Sequence, residues 1–161
     1  MKKIILSLLL LVTTNTFAQE ITGYVRTEDK YSMAVRNTIT EYLENKFTTF
    51  DEAYADNVVF NLNGNQANKA AVKQGWAAHH SIYKNIKIDW MFVETTIYDE
   101  NNNNTVWSHL WGQWTGTSNR TGKEWSNPFH ASFKWVDGKI VNSNWIYDPT
   151  SENQEMAAMK K

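Results

Sequence analysis

The stretch FHASFKWVDGKIVNSNWIY, residues 129–147, decides the fold of this chain. Aromatic and β-branched residues, which strands favour, flank the dipeptide Asp137-Gly138. Asp-Gly between two such runs is the strongest short-range signal for a two-residue β-hairpin. The stretch therefore predicts two antiparallel strands with Val136 paired to Lys139.

The hairpin register predicts which side chains share a face of the sheet. Successive residues of a strand point to opposite faces, so the pairing at the turn extends along both strands. The predicted inner face carries Phe129, Ala131, Phe133, Trp135, Ile140, Asn142, Asn144 and Ile146. The outer face then carries His130, Trp145 and Tyr147, an apolar patch that either a dimer partner or a folded-back C-terminal tail would cover. The two asparagines, as carboxamides in an apolar setting, need hydrogen-bond partners from a ligand, water or the backbone.

The region before the hairpin extends the sheet and adds tryptophans to it. Six of the eight tryptophans lie between residues 107 and 147, and residues 86–98 and 105–116 have strand-like patterns. Large flat side chains on a sheet face indicate a cavity for an apolar small molecule. The four asparagines at 101–104 make the turn between these two strands.

This turn generates a candidate catalytic pair. With a four-residue loop over 100–103, Glu94 lies directly across from His109, flanked by Trp107 and Trp111. A carboxylate beside an imidazole is a proton-transfer pair whose pKa values are tuned by burial and pairing. The alternative is a cross-strand salt bridge at the rim or on the convex face of the sheet, and both interpretations stay open.

Three helices are predicted ahead of the strands. Apolar residues recur at helical spacing over 31–47, a short helix follows Thr48 or Thr49, and a third helix begins at the N-cap candidate Asn68. Early helices followed by a run of antiparallel strands give an α+β domain, in which the helices cover one face of the sheet.

Two adjacent histidines, His79 and His80, flank the apolar stripe of the third helix, which includes Trp76 and Tyr83. Adjacent histidines on a helix diverge, whereas a shared metal needs a spacing of three or four residues, so no metal site is expected. One interpretation places a histidine at the pocket mouth beside Tyr83. The other is a partly buried histidine bonded to the backbone.

The first residues have the pattern of a secretory signal peptide. Lys2 and Lys3 precede an apolar run over 4–12, and a small-residue cleavage site ends at Ala18. The apolar run is too short to span a bilayer, which takes about 20 residues. We therefore expect a signal peptide over 1–18 and export to the periplasm or beyond. A polar leader over 19–30, one domain over 31–148 and a frayed tail over 149–161 are expected to follow.

The composition narrows the classes of partner. The formal net charge is −1 and no basic cluster is visible, which disfavours nucleic acid. The absence of cysteine excludes disulfides, thiol catalysis and cysteine-bound zinc. No cofactor motif accompanies the aromatic residues, so we expect no cofactor, and no membrane association once the signal peptide is cleaved.

Short motifs occur at 54–60 (YADNVVF), 69–76, 133–141 (FKWVDGKIV) and at the terminal Tyr147-Asp148. Together they resemble the nuclear transport factor two-like superfamily, in particular its SnoaL-like polyketide-cyclase branch. The resemblance implies a cone-shaped fold, in which a strongly curved antiparallel sheet wraps around three N-terminal helices. It also implies a deep pocket inside the cone and frequent homodimers through the outer sheet face.

Members of this superfamily include isomerases, cyclases, dehydratases, epoxide hydrolases and proteins that only bind, and the fold does not choose among them. The catalytic aspartates of the steroid-isomerase branch correspond here to Leu62 or Asn63 and to Ala131, which cannot do that chemistry. Three hypotheses stay open. The one we favour is an exported protein that binds a small apolar or aromatic molecule. The others are an isomerase or cyclase that uses a glutamate and a histidine, and a non-catalytic dimeric interaction module. The predicted ligand-binding residues are Trp76, His79, His80, Tyr83, Trp107, Trp111, Phe129, Phe133, Asn142 and Asn144, and the predicted catalytic residues are Glu94 and His109.

Overall fold

A computed structural model describes residues 22–159, so the predicted signal peptide lies outside the described residues. The helices are α1 (Lys30–Leu43), α2 (Thr48–Ala53), α3 (Lys69–Ile82) and α4 (Thr150–Met159). The strands are β1 (Gly23–Arg26), β2 (Tyr54–Leu62), β3 (Asn65–Ala67), β4 (Tyr83–Tyr98), β5 (Val106–Ser118), β6 (Glu124–Val136) and β7 (Lys139–Tyr147). Within this part of the chain, no helix has the length and apolar character needed to cross a membrane.

The seven strands form one curved sheet in the order β1-β4-β5-β6-β7-β2-β3. Neighbouring strands are antiparallel except β2 and β7, which run parallel. Helices α1 and α3 pack against the concave side of the sheet. The α+β class and the cone-shaped sheet wrapped around N-terminal helices are therefore as predicted.

Local interactions fix where the first helices begin. Asp29 caps α1, because its carboxylate accepts hydrogen bonds from the backbone N–H groups of Tyr31 and Ser32. Glu41 binds both the backbone and the hydroxyl of Thr49 at 2.7 and 2.6 Å, which holds α2 against α1. Asn68 caps α3 by accepting from the N–H of Ala71, as its sequence position predicts.

The narrow end of the cone is closed by a buried chain of hydroxyl groups. Ser32 of α1 bonds Thr95 of β4 at 2.8 Å, Thr95 bonds Ser108 of β5 at 2.8 Å, and Ser108 accepts from Trp135 Nε1 at 2.8 Å. Because every member has a partner, these groups are buried without the cost of an unpaired polar atom. The chain fixes α1 to three strands and leaves the opposite end of the cone to the cavity described below.

The predicted register of the β6–β7 hairpin is right at the turn and wrong beyond it. Val136 pairs with Lys139 and Trp135 with Ile140, but Lys134 then pairs with Asn142, so Val141 is an extra residue. Such a β-bulge bends a strand and reverses the side-chain alternation after it. The concave face consequently carries Ser143, Trp145 and Tyr147, and the convex face carries Asn142, Asn144 and Ile146.

The register of the β4–β5 pair is confirmed where it was predicted. Glu94 pairs with His109, Phe92 with Trp111 and Trp90 with Gln113. A second register shift between Ile88 and Trp90 turns Ile88 to the concave side, whereas the sequence alternation placed these two residues on one face.

Both ends of the domain have more structure than expected. Ordered structure was predicted to begin near Tyr31, but β1 pairs with the distal part of β4, where Tyr24 and Val25 extend the sheet edge. The predicted frayed tail forms α4, which is docked by Glu155. That carboxylate is buried and bonds Ser118 Oγ at 2.9 Å and Arg120 Nε at 2.9 Å. A charge-assisted pair of this kind gives a short polar segment a fixed place on the sheet.

Candidate functional site

A cavity of about 340 Å³ lies between α1, α3, α4 and the concave face of the sheet, and it is partly open to solvent. This volume is at the lower end of the range of small-molecule sites. Its lining residues are Ile39, Tyr42, Leu62, Ala67, Ala71, Val72, Gly75, Trp76, His79, Tyr83, Ile88, Trp114, Asn127, Phe129, Trp145, Tyr147, Asp148, Ser151 and Glu152.

Aromatic rings make up the walls of the cavity. Trp76 of α3 packs edge-on against Tyr42 of α1 at 5.5 Å and against Trp145 of β7 at 5.4 Å between ring centroids. Tyr83 of β4 and Trp114 of β5 meet edge-on at 5.0 Å. Rings held by such contacts have fixed orientations, so their faces and edges form a rigid lining.

A hydrogen-bond chain runs along one wall and involves His79. Trp114 Nε1 donates to Tyr42 Oη at 2.9 Å, and Tyr42 Oη lies 3.0 Å from His79 Nδ1. The phenol accepts from the indole and can donate its own proton to Nδ1, which assigns the remaining imidazole proton to Nε2. Burial raises the pKa of Tyr42, so this phenol stays neutral and remains a donor.

The other side of His79 faces the carboxylate of Glu152. His79 Nε2 lies 3.6 Å from Glu152 Oε1, and the Tyr147 hydroxyl lies 3.4 Å from Glu152 Oε2. The neighbouring imidazole holds the pKa of Glu152 below its usual range, against the opposing effect of burial. Burial raises the pKa of Tyr147 to about 12. The cavity therefore contains a carboxylate that ionises readily, beside the neutral phenol of Tyr147.

Tyr83 is a lining residue whose hydroxyl is buried behind the cavity surface without a partner. It forms no hydrogen bond with any described residue, and only 3 % of Tyr83 is exposed. Ser151 lies beside it, but the two side chains do not meet in normal hydrogen-bond geometry. An unpaired buried hydroxyl costs free energy.

The predicted ligand-binding residues separate into two groups. Trp76, His79, Tyr83 and Phe129 line the cavity. His80 lies outside it and donates from Nε2 to the backbone carbonyl of Tyr42 at 2.7 Å. It is therefore a partly buried histidine bonded to the backbone, the second of the two predicted interpretations. The remaining predicted residues lie elsewhere: Phe133 in the core, and Trp107, Trp111, Asn142, Asn144, Glu94 and His109 on the convex face.

On the convex face, the two asparagines satisfy each other. Asn144 donates to Asn142 Oδ1 at 2.8 Å and accepts from Asn61 Nδ2 at 2.8 Å. The prediction that they lie inside the cone is wrong, because it assumed an unbroken alternation through Val141. Trp145 and Tyr147, predicted outside, lie inside for the same reason.

Glu94 and His109 are opposite each other but outside the cavity. Within residues 22–159 no hydrogen bond or ion pair joins them, and His109 instead stacks on His130 at 6.0 Å. The acid–base pair that the structure brings into the cavity is His79 with Glu152. The same range contains no group of three or more side chains suited to hold a metal ion.

Sequence reasoning missed Tyr42, Trp114 and Glu152 as cavity residues. Tyr42 was assigned to the apolar stripe of the first helix, where nothing marks its hydroxyl as functional. Glu152 lies in a segment with helix-start signals, since Asp148 and Pro149 precede Thr150 and an acidic first turn. That signal could have identified α4, but not where α4 packs.

Comparisons with known proteins agree with this geometry. A family model described as the SnoaL-like domain matches residues 35–143. No curated protein matches the chain significantly.

Solved structures of the same fold are distant in sequence. One from Xanthomonas campestris pv. campestris, proposed to be a polyketide cyclase, is 14 % identical, with a TM-score of 0.57 over 77 % of this chain and 94 % of that chain. An NTF2-like protein from Burkholderia thailandensis is 17 % identical, with a TM-score of 0.55 over 77 % and 95 %. A ketosteroid isomerase-like fold from Catenulispora acidiphila, in complex with trimethylamine, is 8 % identical, with a TM-score of 0.53 over 71 % and 85 %. At these identities the likeness shows the fold alone.

Proposed function

Since the chain belongs to the SnoaL-like domain family, we propose that it binds a small, largely apolar molecule in the cavity between α1, α3, α4 and the sheet. The observation that carries the proposal is an aromatic-walled, partly open cavity whose lining includes the carboxylate of Glu152. Apolar walls with a few convergent polar groups are the usual design of a small-molecule site. A distant protein of this fold holds trimethylamine, which is consistent with ligand binding in such a cone.

The test of this proposal uses Gly75, which lines the cavity from α3. A Cβ built on Gly75 meets nothing within 4 Å, so a larger side chain enters the cavity without a clash. We expect Gly75→Leu to abolish binding of 2-naphthol, an apolar ring with one hydroxyl, measured by quenching of tryptophan fluorescence. The matched control, Gly75→Ala, leaves most of the cavity free and is expected to retain binding.

Both variants are also expected to be more stable than the wild type, by up to about 1 kcal/mol, because alanine and leucine favour a helix more than glycine does. Loss of binding in a stabilised protein cannot come from unfolding. Equal binding by Gly75→Leu and wild type would place the ligand elsewhere and contradict the proposal.

A second candidate function is proton transfer on an apolar carbonyl compound, and the contact between His79 and Glu152 inside the cavity favours it. In this function Glu152 takes a carbon-bound proton, and His79 holds the carboxylate in position. We expect the wild type to accelerate α-proton exchange of 2-tetralone in D₂O, followed by NMR, and Glu152→Gln to lose this effect. Exchange at the uncatalysed rate in the wild type would reject the enzyme.

We also propose export, which rests on the signal-peptide pattern of residues 1–18. The predicted product of cleavage begins at Gln19. Mass spectrometry of the protein from the periplasmic and culture fractions tests this, and full-length protein confined to the cytoplasm would contradict it.

A homodimer through the convex face is a further part of the proposal. Trp90, Phe92 and Ile146 are 52, 47 and 66 % exposed on that face. Large apolar side chains grouped on a sheet face often mark an interface. Sedimentation of wild type and of Ile146→Lys tests it: the wild type should be dimeric and the variant shifted toward monomer, and two monomers would reject the dimer.

A further inference from the structure

The charges around the cavity have one sign. The lining residues that ionise to anions are Glu152, inside, and Asp148, at the exposed mouth. No lysine or arginine occurs among the lining residues that the structure describes. Arg120 is not a lining residue, and its guanidinium is paired with Glu155.

We propose that the ligand of this cavity is an organic cation, such as a methylated ammonium compound. The inference rests on the function proposed above and names the chemical class of the ligand. Two features of the cavity support it: its aromatic walls, and a carboxylate with no lysine or arginine among the lining residues that the structure describes.

The first feature is the aromatic wall. Trp76, Trp114 and Trp145 surround the space together with Tyr42 and Phe129. The faces of such rings carry negative electrostatic potential, and enclosed rings recognise quaternary ammonium groups through cation–π interactions. Tryptophan is the strongest of these partners, and a neutral apolar ligand gains nothing from this potential.

The second feature is the charge of Glu152. Its neighbours are the His79 Nε2 atom at 3.6 Å and the Tyr147 hydroxyl at 3.4 Å. Among the lining residues that the structure describes, no lysine or arginine cancels its charge. A cation in the cavity would therefore find an anion that is fixed in place and only partly exposed to solvent, at 32 % of its side chain.

The test compares two probes of the same shape and different charge. Choline and 3,3-dimethylbutan-1-ol both carry a hydroxyl on a two-carbon arm, but the first ends in a trimethylammonium group and the second in a tert-butyl group. We expect isothermal titration calorimetry to give a Kd for choline at least 10-fold lower, since only the ammonium group gains cation–π contacts and the attraction of Glu152.

Variants separate the charge from the shape of the cavity. Glu152→Gln keeps the size of the side chain and is expected to weaken choline about 10-fold while changing the neutral alcohol less than twofold. Glu94→Gln, on the convex face, is expected to change neither. Equal affinity of the two probes, or no effect of Glu152→Gln on choline, would overturn the inference.

These outcomes also separate this inference from the function on which it rests. If 2-naphthol binds and choline does not, the cavity takes neutral ligands, and only the inference fails. If neither binds to the wild type, the proposed function fails as well.

Discussion

The two faces of the same curved sheet carry similar residues and offer different chemistry. Each side has tryptophans and one pairing of a glutamate with a histidine. On the concave side Glu152 of α4 contacts His79 of α3, and on the convex face Glu94 of β4 lies opposite His109 of β5. The concave pair lies in a cavity enclosed by helices, whereas Phe92 and Trp90 on the convex side are about half exposed. Residue types alone therefore do not make a site here, and enclosure by α1, α3 and α4 decides which pair can act.

The largest difference between the faces is expected in the stability of tryptophan variants. Trp145 is 9 % exposed and packs on Trp76 and Phe133, so Trp145→Ala should lower the free energy of unfolding by about 3–5 kcal/mol. Trp111 lies on the open face against Phe92, and Trp111→Ala should cost about 1 kcal/mol. Urea unfolding of both variants measures this, and equal losses would contradict the assignment of the two faces.

A second comparison concerns the helix that closes the cavity. Glu155→Ala removes the bonds to Ser118 and Arg120 that dock α4, and should cost about 2 kcal/mol. Glu94→Ala on the convex face should change stability by less than about 0.5 kcal/mol. Hydrogen exchange of the α4 amides should rise in the first variant alone. Unchanged protection of α4 would mean that this carboxylate does not hold the helix.

The smallest effect is expected in the pH dependence of stability. Burial, and then the nearby His109, lower the pKa of His130 on the convex face, and His79 lowers the pKa of Glu152 in the cavity. In each case the group takes up its proton at a higher pH in the unfolded chain than in the folded protein. The free energy of unfolding therefore decreases as the pH drops below 6.5 for His130 and below 4.5 for Glu152. Each effect should stay under about 1 kcal/mol after solvent screening.

Variants assign the two pH windows to the two faces. His130→Gln should remove the slope that starts near pH 6.5, and Glu152→Gln the slope that starts near pH 4.5. Urea midpoints measured between pH 3 and pH 8 supply the data. The account of either face would be wrong if its variant kept the wild-type slope.

The β4–β5 and β6–β7 pairs show how far the sequence predicts the fold. In both, strand pairing and the pairs next to the turn follow from loop length and alternation, and the pairing of Glu94 with His109 was predicted correctly. The face of the sheet on which the later β7 side chains lie was predicted wrongly, because one extra residue at Val141 reverses every side chain after it. A valine between isoleucine and asparagine carries no sequence signal for such a bulge. The curvature that needs this bulge is a property of the whole sheet.

The sequence predicted an aromatic-lined cavity, but only some of the residues that line it. Trp76, His79, Tyr83 and Phe129 could be found because helical spacing and strand alternation fix their faces locally. Glu152 could not, since its position depends on the docking of α4 by Glu155, a contact between residues 35 and 37 positions apart in the chain. Contacts at such separation have no local pattern.

The most direct test of the central claim follows the indole N–H signals of the eight tryptophans by NMR during titration with 2-naphthol, with Trp→Phe variants for assignment. If the ligand binds in the cavity on the concave side, we expect the signals of Trp76, Trp114 and Trp145 to shift. The signals of Trp90, Trp107 and Trp111 should stay unchanged. Shifts confined to the three convex tryptophans would contradict it.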